Sequence, residues 1–378
     1  MRRHRSILGL LALLGGVLAA CGDDDTATAD GGSPPDATGD DTASSCLADP
    51  GLEPVDLDVP IDPDGDRVLL THDSFTLSEG TLEAFTDETG VEVTVQQSGD
   101  AGALVAESLL TVGDPLGDVL FGIDNTFLCR GVLGGLFEPH ESDQLDRVDP
   151  ELVLDPHHRV TPVDFGDVCV NYWSDQLDGA PPSDFDDLTD ERFAGEFVTP
   201  SPETSSPGFA FLLATIAAYG DDWPDYWRDL AANDVTVTSG WSEAYHGEFV
   251  AGGGDRALVT SYASSPPAEV VFADPPVDSP PTGVALDTCF RQVEFAGVLA
   301  GTDHPREAAA LIDFLLSPSV QADIPLTMFV YPAVTDVALP DVFVEFGTLA
   351  ESPATLDPET IEANRNDWLD EWVELMRG

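Results

Sequence analysis

Aromatic and hydroxyl side chains are concentrated between residues 239 and 269 of a chain that is otherwise strongly acidic. Trp241 follows one β-like segment, Tyr262 ends the next, and Ser264 and Ser265 stand in the turn just after it. Indole and phenol faces attract organic cations and stack on flat heterocycles. Because the ends of neighbouring parallel strands meet at the ligand crevice of an α/β sheet, we predict that Trp241 and Tyr262 face one ligand.

Trp241 also begins a predicted helix in which Tyr245 and Phe249 follow at intervals of one turn. This spacing places the three rings on one face of the helix. An aromatic stripe on a helix most often serves core packing, so we expect Tyr245 and Phe249 to be buried. Trp241 is the ring expected at the ligand.

No catalytic motif accompanies these residues. The chain has no G-x-S-x-G, no H-E-x-x-H and no glycine-rich phosphate loop ending in Lys-Ser/Thr. Its 71 acidic residues produce any carboxylate spacing by chance, so a glycosidase pair has no specific support. The cysteine spacings include no short C-x-x-C, which argues against zinc. The sequence therefore predicts no catalytic residue, no metal site and no cofactor.

The first 21 residues have the pattern of an export signal. Three arginines precede an apolar run from Ile7 to Ala20, which is too short for an ordinary membrane span. The sequence LAAC at 18–21 resembles the lipoprotein box, so we predict that Cys21 carries lipid and tethers the mature protein outside the cytoplasmic membrane. The alternative is a plain cleaved signal with an incidental cysteine.

Residues 22 to about 66 consist mainly of Asp, Thr, Gly, Ser, Pro and Ala, with few large apolar side chains. Such a composition buries too little surface to offset the entropy of ordering. We interpret this stretch as a disordered acidic tether that lets a folded head move away from the membrane.

The chain carries 14 basic and 71 acidic residues, and its formal net charge is −57 at pH 7. Such a surface repels nucleic acid, so we expect no nucleic-acid partner. We interpret the acidity as an adaptation to high salt, which screens the repulsion among dense carboxylates. An acidic metal-binding surface is the alternative, but the acids do not gather into a calcium-type loop.

Four cysteines remain if Cys21 carries lipid: Cys46, Cys129, Cys169 and Cys289. An even number of cysteines in an exported chain predicts disulfide bonds, and four cysteines allow three pairings. The residue spacing alone does not choose among them.

Strand and helix patterns alternate along the folded part, which begins near residue 66. Apolar or β-branched segments predict strands at 68–70, 91–95, 118–124, 165–173, 234–240, 256–264 and 289–298. Helical patterns lie at 78–90 with Ser78 as N-cap and Gly90 as terminator, then at 101–111, 208–220, from 241, at 305–317 and at 357–376. This order predicts an α/β protein whose helices cover a parallel sheet, in two units with a cleft between them.

Several short motifs are together similar to the thiamine-binding component of bacterial ABC importers. They are GWSEAY at 240–245, SYASSPPA at 261–268, TSSPG at 204–208, DSF at 73–75, GIDN at 122–125 and IPLTMFVYP at 324–332. The resemblance runs from about residue 66 to the C-terminus. It implies a two-lobed periplasmic-binding-protein fold of type II, with two hinge crossings between the lobes. It also implies a non-enzymatic protein that closes on thiamine or its phosphates and delivers them to ABC permease and ATPase subunits.

The resemblance further implies a set of ligand-binding residues. These are Trp241, Tyr262, Ala263, Ser264, Ser265, Ser205, Ser206, Asp100, Ala101, His72, Asp73 and Phe329. A phosphate would meet the hydroxyl groups and backbone N–H groups of the TSSPG turn, where a helix begins. The chain departs from the family pattern at His72, which replaces a tyrosine, and at Glu79 and Phe329, which replace tryptophans.

Lobe one is expected to contain residues 67–163 and about 297–378, and lobe two residues 168–288, with hinge strands near 163–168 and 289–297. Cys169 and Cys289 stand on those two strands, so we predict that they form one disulfide and that Cys46 pairs with Cys129. We expect a monomer that contacts the membrane only through its lipid anchor.

Three alternatives remain at this point. The first is a protein of the same fold that binds ferric iron, a polyamine or another small ligand, although iron sites use paired tyrosines and Tyr262 has no adjacent tyrosine. The second is an extracellular hydrolase that uses two of the many acids. The third is a structural surface lipoprotein.

Overall fold

The computed structural model describes residues 45–377, so the predicted export signal, Cys21 and the first part of the predicted tether lie outside the described residues. The strands are β1 (Asp66–Thr71), β2 (Glu92–Gln97), β3 (Val119–Asp124), β4 (Phe137–Glu138), β5 (Thr161–Trp173), β6 (Phe197–Pro200), β7 (Thr236–Thr238), β8 (Leu258–Tyr262), β9 (Thr282–Leu299) and β10 (Tyr331–Pro332). The helices are α1 (Thr81–Thr89), α2 (Ala101–Leu109), α3 (Leu128–Leu133), α4 (Ser206–Tyr219), α5 (Trp223–Ala232), α6 (Trp241–Glu243, continued by a π turn at Ala244–Glu248), α7 (Pro266–Val271), α8 (Pro305–Leu315), α9 (Pro318–Thr327), α10 (Asp341–Phe346) and α11 (Pro358–Arg377). Within this part of the chain, no helix combines the length and the apolar character that crossing a membrane requires.

The strands form one mixed sheet in the order β2-β1-β3-β9-β5-β8-β6-β7, with β4 beside β9 and β10 beside β5. Pairing is parallel in β2-β1-β3 and in β8-β6-β7, as the alternation of strands and helices predicted. The prediction of a parallel sheet is wrong for the centre, because β9 and β5 pair antiparallel with each other and with the strands that flank them. We call β1–β4 with α1–α3, α8 and α9 the first half, and β6–β8 with α4–α7 the second half.

The two central strands are long because they connect the two halves. β5 has 13 residues and β9 has 18, and residues of both are hydrogen-bonded over most of their length. Asp164 lies opposite Glu294 in this pair, and Asp167 lies opposite Arg291. The strands predicted as hinge crossings near 163–168 and 289–297 are thus the ones that run from one half into the other.

Both disulfides have the pairing that the sequence predicted. Cys169 is bonded to Cys289, and Cys46 is bonded to Cys129. The first bond links β5 to β9 next to the second half, where the two sulfur-bearing side chains pack with Ala263. The second bond fastens the start of the described chain to α3.

Residues 45–65, which composition assigned to the disordered tether, lie against the first half. Cys46 is covalently attached to α3, Val55 N–H donates to the Pro139 carbonyl (3.0 Å) and the Asp62 N–H donates to Glu307 (2.5 Å). The tether prediction fails for this segment because a disulfide, hydrogen bonds and the burial of Val55 in the core attach it to the first half.

Helix α1 differs from the sequence prediction in how its start is held. α1 begins at Thr81 after Gly80, which has a φ of 87°, and the predicted cap Ser78 instead bonds Asp323 through its N–H (2.7 Å) and its hydroxyl (2.5 Å). The long-range partner therefore replaces the predicted local cap.

The C-terminal helix α11 docks on the rest of the protein, as its amphipathic pattern predicted, but it contacts both halves. Trp372 packs edge-on against Trp227 of α5, with ring centroids 5.5 Å apart. The Arg365 guanidinium lies 4.0 Å from the Phe127 ring of the first half and 3.9 Å from the Phe209 ring of the second half. One buried cation thus joins the two halves on the side that α11 covers.

Candidate ligand-binding site

A cavity of about 930 Å³ lies between the two halves of the sheet. One side is formed by β5 and β9 through Asp164, Gly166, Gln292 and Glu294, which we call the floor. The predicted site residues that line the cavity are His72, Asp73, Asp100, Ala101, Ser206, Trp241, Tyr262, Ser265 and Phe329. Residues distant in the sequence therefore meet in one place.

Three predicted residues lie behind the cavity wall. Ser205 is fully buried and its hydroxyl caps α4 by accepting from the Gly208 N–H (3.3 Å). Ala263 packs against the Cys169–Cys289 disulfide. Ser264 donates its hydroxyl to the Phe329 carbonyl (2.7 Å). These residues position the wall and do not line it.

The aromatic wall is formed by Trp241, Tyr245 and Tyr262. The Trp241 ring stacks on Tyr245, with centroids 5.1 Å apart, and meets Tyr262 edge-on at 6.4 Å. The indole N–H donates to the Ser261 hydroxyl (3.0 Å), which fixes the orientation of the ring. Tyr245 is 4% exposed, as the helical spacing predicted, yet it also borders the cavity, where its hydroxyl donates to Glu269 (2.7 Å).

Asp100 connects the two halves at one end of the cavity. Its carboxylate caps α2 at the Ala101 N–H (2.7 Å) and also accepts from the backbone N–H groups of Ser206 (3.1 Å) and Trp241 (2.9 Å). Burial raises the pKa of Asp100, and hydrogen bonds from Trp241, Ser205 and Ser206 partly offset this effect. The N–H group of Ser206, expected at a phosphate because a helix begins there, therefore donates to a carboxylate of the protein.

Asp124 at the end of β3 was not among the predicted site residues. It is fully buried and accepts from the N–H (2.8 Å) and hydroxyl (2.7 Å) of Thr126, and also from Ser206 and Gln292. Burial raises the pKa of Asp124, while hydrogen bonds from Ser206, Thr126 and Gln292 lower it. One sequence signal could have identified Asp124: it lies in the GIDN motif, at the end of a predicted strand.

On the floor, Asp164 and Glu294 place two carboxyl groups side by side. Burial and then the charge of Glu294 raise the pKa of Asp164 well above its usual range, since two adjacent carboxylates cannot both ionise at low cost. Asp164 therefore keeps a proton at pH values at which an exposed aspartate has lost it.

His72 lies against the same carboxyl pair. Its Nε2 is 3.1 Å from Glu294, and its Nδ1 accepts from the Ser74 N–H (3.2 Å), so the ring proton belongs on Nε2. Burial disfavours the imidazolium, but the charges of Glu294, Asp100 and Asp73 outweigh burial and raise the pKa of His72. The residue that replaces a tyrosine of the family pattern is thus tied to the floor.

The cavity has a strongly anionic lining. Six of its residues carry carboxyl groups, and none of those that border it is Lys or Arg; the six are Asp73, Asp100, Asp164, Glu269, Asp274 and Glu294. Within residues 45–377, no three His, Cys, Asp or Glu side chains are grouped as a metal site. Burial, followed by the nearby carboxylates, raises the pKa of the Tyr262 phenol well above its usual value, so this tyrosine stays protonated. The lining favours a cation with flat rings.

Phe329 and Phe272 meet where the halves approach each other. Their ring centroids are 5.5 Å apart, and Phe272 is 72% exposed. Phe329 has a φ of 55° and is held by the Ser264 hydroxyl of the second half. Glu79, where the family pattern has a tryptophan, is exposed and does not border the cavity.

Two α/β halves, two connecting strands and a ligand-sized cavity between them define a solute-binding protein. Residues 114–345 match the model of the family described as bacterial extracellular solute-binding protein, and the chain belongs to this family.

Within this family the chain is related to thiamine-binding periplasmic proteins. It is 31% identical over 312 residues to the thiamine-binding periplasmic protein of Salmonella typhimurium, a match that covers 80% of this chain and 90% of the relative. It is 30% identical to the Escherichia coli protein of the same name, with the same coverage. A solved periplasmic thiamin binding protein aligns with a TM-score of 0.74 at 27% identity, covering 84% of this chain and 99% of that chain. These similarities confirm the predicted resemblance and the two-lobed fold.

Proposed function

We propose that this protein is the extracytoplasmic solute-binding component of an ABC importer and that it binds thiamine or a thiamine phosphate in the cavity. The relationship to thiamine-binding periplasmic proteins supports this proposal. The observation that carries it is the combination of Trp241 and Tyr262 faces with six cavity carboxyl groups and no Lys or Arg in the lining.

The chemistry of thiamine fits this lining. The thiazolium nitrogen carries a fixed positive charge and has no proton to donate, so it requires an aromatic face or a carboxylate. An aromatic face contributes about 0.5–2 kcal/mol to the binding of such a cation. The net charge of −57 attracts cations over longer distances at low salt, and this attraction weakens as salt rises.

The same lining is poorly suited to ferric iron, which binds ionised tyrosines. Burial raises the pKa of both Tyr262 and Tyr245, and nearby carboxylates raise them further. The Tyr245 hydroxyl already donates to Glu269 (2.7 Å). Because the Tyr245 hydroxyl is already engaged, the lining formed by the described residues offers no free pair of tyrosine oxygens to a metal ion and favours an organic cation.

We also propose that the halves act as two lobes, residues 67–163 with about 297–378 and residues 168–288, that close by rotation about β5 and β9. The two strands connect the halves and are joined by the Cys169–Cys289 bond. Hydrogen bonds from Ser206 and Trp241 to Asp100 would form on closure, because they join opposite lobes.

Beyond the described residues, we propose that Cys21 anchors the protein by lipid, that a shorter tether of about residues 22–44 gives it reach, and that it works as a monomer at high salt. The lipoprotein box and the net charge of −57 support these proposals. Labelling with a radioactive fatty acid, with Cys21→Ser as the control, tests the anchor.

Isothermal titration of the purified protein with thiamine, its monophosphate and its diphosphate tests the function, with chromatography of the ligands after incubation. We expect one ligand bound per chain, quenched tryptophan fluorescence and no new compound. Conversion of the ligand would support a hydrolase instead, and the absence of binding to any of the three ligands would refute the proposal.

A further inference from the structure

Two buried oxygen atoms on the floor have no hydrogen-bond partner in the described chain. They are Oδ2 of Asp164 and Oε1 of Gln292, whose residues are 2% and 3% exposed. Both residues border the cavity. A buried polar atom without a partner reduces stability, and native proteins keep few of them. Their position at the cavity indicates that a ligand supplies the hydrogen bonds.

The orientation of Gln292 follows from its neighbours. Its amide nitrogen donates to Asp124 and to the Ser206 hydroxyl, which in turn donates to Asp124. The structure thus places the NH₂ group of the amide against two acceptor oxygens, those of Asp124 and Ser206. The carbonyl oxygen Oε1 is therefore the free end of Gln292, and it needs a donor.

Asp164 and Glu294 supply the complementary groups. They lie opposite each other on β5 and β9, and one oxygen of Glu294 is engaged by His72 Nε2 at 3.1 Å. The raised pKa of Asp164 leaves one proton on this pair, shared in a hydrogen bond between the two carboxyl groups, and a ligand acceptor can take this hydrogen bond in place of one carboxylate. The floor thus combines two acceptor groups with one donor.

We infer that Asp164, Gln292 and Glu294 recognise an amino group next to a ring nitrogen, as in an aminopyrimidine, and that they determine the specificity of the site. The amino group donates to Gln292 and Glu294, and the ring nitrogen accepts from the carboxyl pair. This inference rests on the proposed function, because thiamine carries an aminopyrimidine beside its thiazolium ring.

The test compares thiamine with its oxo analogue, in which a carbonyl oxygen replaces the amino group and the adjacent ring nitrogen gains a proton. The two ligands share the thiazolium cation and almost the same shape. We expect the analogue to bind at least about tenfold more weakly, because it presents an acceptor to acceptors. Isothermal titration of the purified protein at one fixed salt concentration measures the ratio.

Two substitutions test whether the floor residues cause the preference for thiamine over the oxo analogue. Glu294→Gln and Asp164→Leu should each reduce the preference for thiamine over the oxo analogue at least about threefold. Glu269→Gln is the matched control, because it removes a cavity carboxylate on another wall and should weaken both ligands by a common factor. Thermal unfolding checks that each variant folds.

The outcomes separate this inference from the proposed function. A preference of tenfold or more that falls in the floor variants supports the inference. Thiamine binding with a smaller preference, or an unchanged preference in both folded floor variants, overturns the inference and leaves the proposed function standing. If neither ligand binds the wild-type protein, the proposed function and the inference both fail.

Discussion

The two faces of the β5–β9 pair differ in how their charged side chains are paired. On the face away from the cavity, Asp167 lies opposite Arg291, with a side-chain contact of 2.5 Å, and also accepts from the Ala350 N–H (2.9 Å). On the cavity face, Asp164 lies opposite Glu294, so two acids are neighbours and Asp164 keeps a proton. Opposite charges across a strand pair stabilise a sheet, whereas a buried pair of acids lowers stability because one of them must stay protonated.

This difference indicates that the cavity face lowers the stability of the ligand-free protein. On the face away from the cavity, which we call the outer face, Asp167 is paired with Arg291. On the cavity face, Asp164 and Gln292 each keep one oxygen atom without a hydrogen-bond partner. A cationic ligand with an amino group would pair both. Substitutions on the two faces should therefore change stability in opposite directions.

The largest effect is expected from Arg291→Met on the outer face. Asp167 has no exposed surface, so the loss of its cation leaves a buried carboxylate and should destabilise the protein by about 3 kcal/mol. Urea unfolding at fixed salt measures this loss. Arg192→Met is the control, since its pair with Asp187 is partly exposed and should contribute less than about 1 kcal/mol. Equal losses in the two variants would contradict the special role of the outer pair.

On the cavity side, Trp241→Ala should weaken thiamine binding by about thirtyfold, or about 2 kcal/mol. The variant removes the aromatic face that stacks on Tyr245 and meets Tyr262. Calorimetric titration measures the change. Trp241→Phe should retain part of the affinity, and Trp368→Phe on α11, away from the cavity, should retain all of it. Unchanged thiamine affinity of Trp241→Ala would show that the aromatic wall does not contribute to binding.

Asp164→Leu should stabilise the ligand-free protein by about 1 kcal/mol, the opposite sign to Arg291→Met. The change removes a buried carboxyl group that must stay protonated beside Glu294, together with a buried oxygen atom that has no partner. Urea unfolding without ligand compares the two substitutions directly. A loss of stability would show that the cavity face is not a source of instability.

The smallest expected effect is the pH dependence of the stability that Asp164→Leu gains. A carboxyl group with a raised pKa contributes stability that is present at low pH and is lost as pH rises through its folded-state pKa. The pKa of Asp164 is raised by burial and by Glu294, so its cost grows with pH. The advantage of Asp164→Leu should therefore be larger at pH 8 than at pH 5. The reverse order would contradict the raised pKa.

The sequence was most informative where a local pattern fixes a position. Trp241 and Tyr262 follow strand signals and lie at the strand ends of the second half, but their strands β7 and β8 are not neighbours as predicted, because β6 lies between them. The pairing of Cys169 with Cys289 followed once the two hinge strands were placed side by side. The mixed centre of the sheet was not predicted, because strand direction depends on how the chain crosses between the halves.

The polar part of the cavity could not be predicted in the same way. Asp124, Gln292 and Glu294 meet Ser206 and His72 over long sequence separations, and no local pattern encodes such contacts. With 71 acidic residues in the chain, no single acid stands out by composition. Burial and the absence of a partner distinguish Asp164, and both are properties of the folded chain.

A crystal structure of the protein saturated with thiamine tests the central claim most directly. The account predicts the thiazolium ring against Trp241 and Tyr262 and the amino group against Gln292 and Glu294, with the hydrogen bond from the Trp241 N–H to Asp100 retained. Thiamine bound outside this cavity, or bound with its amino group away from the β5–β9 floor, would contradict it.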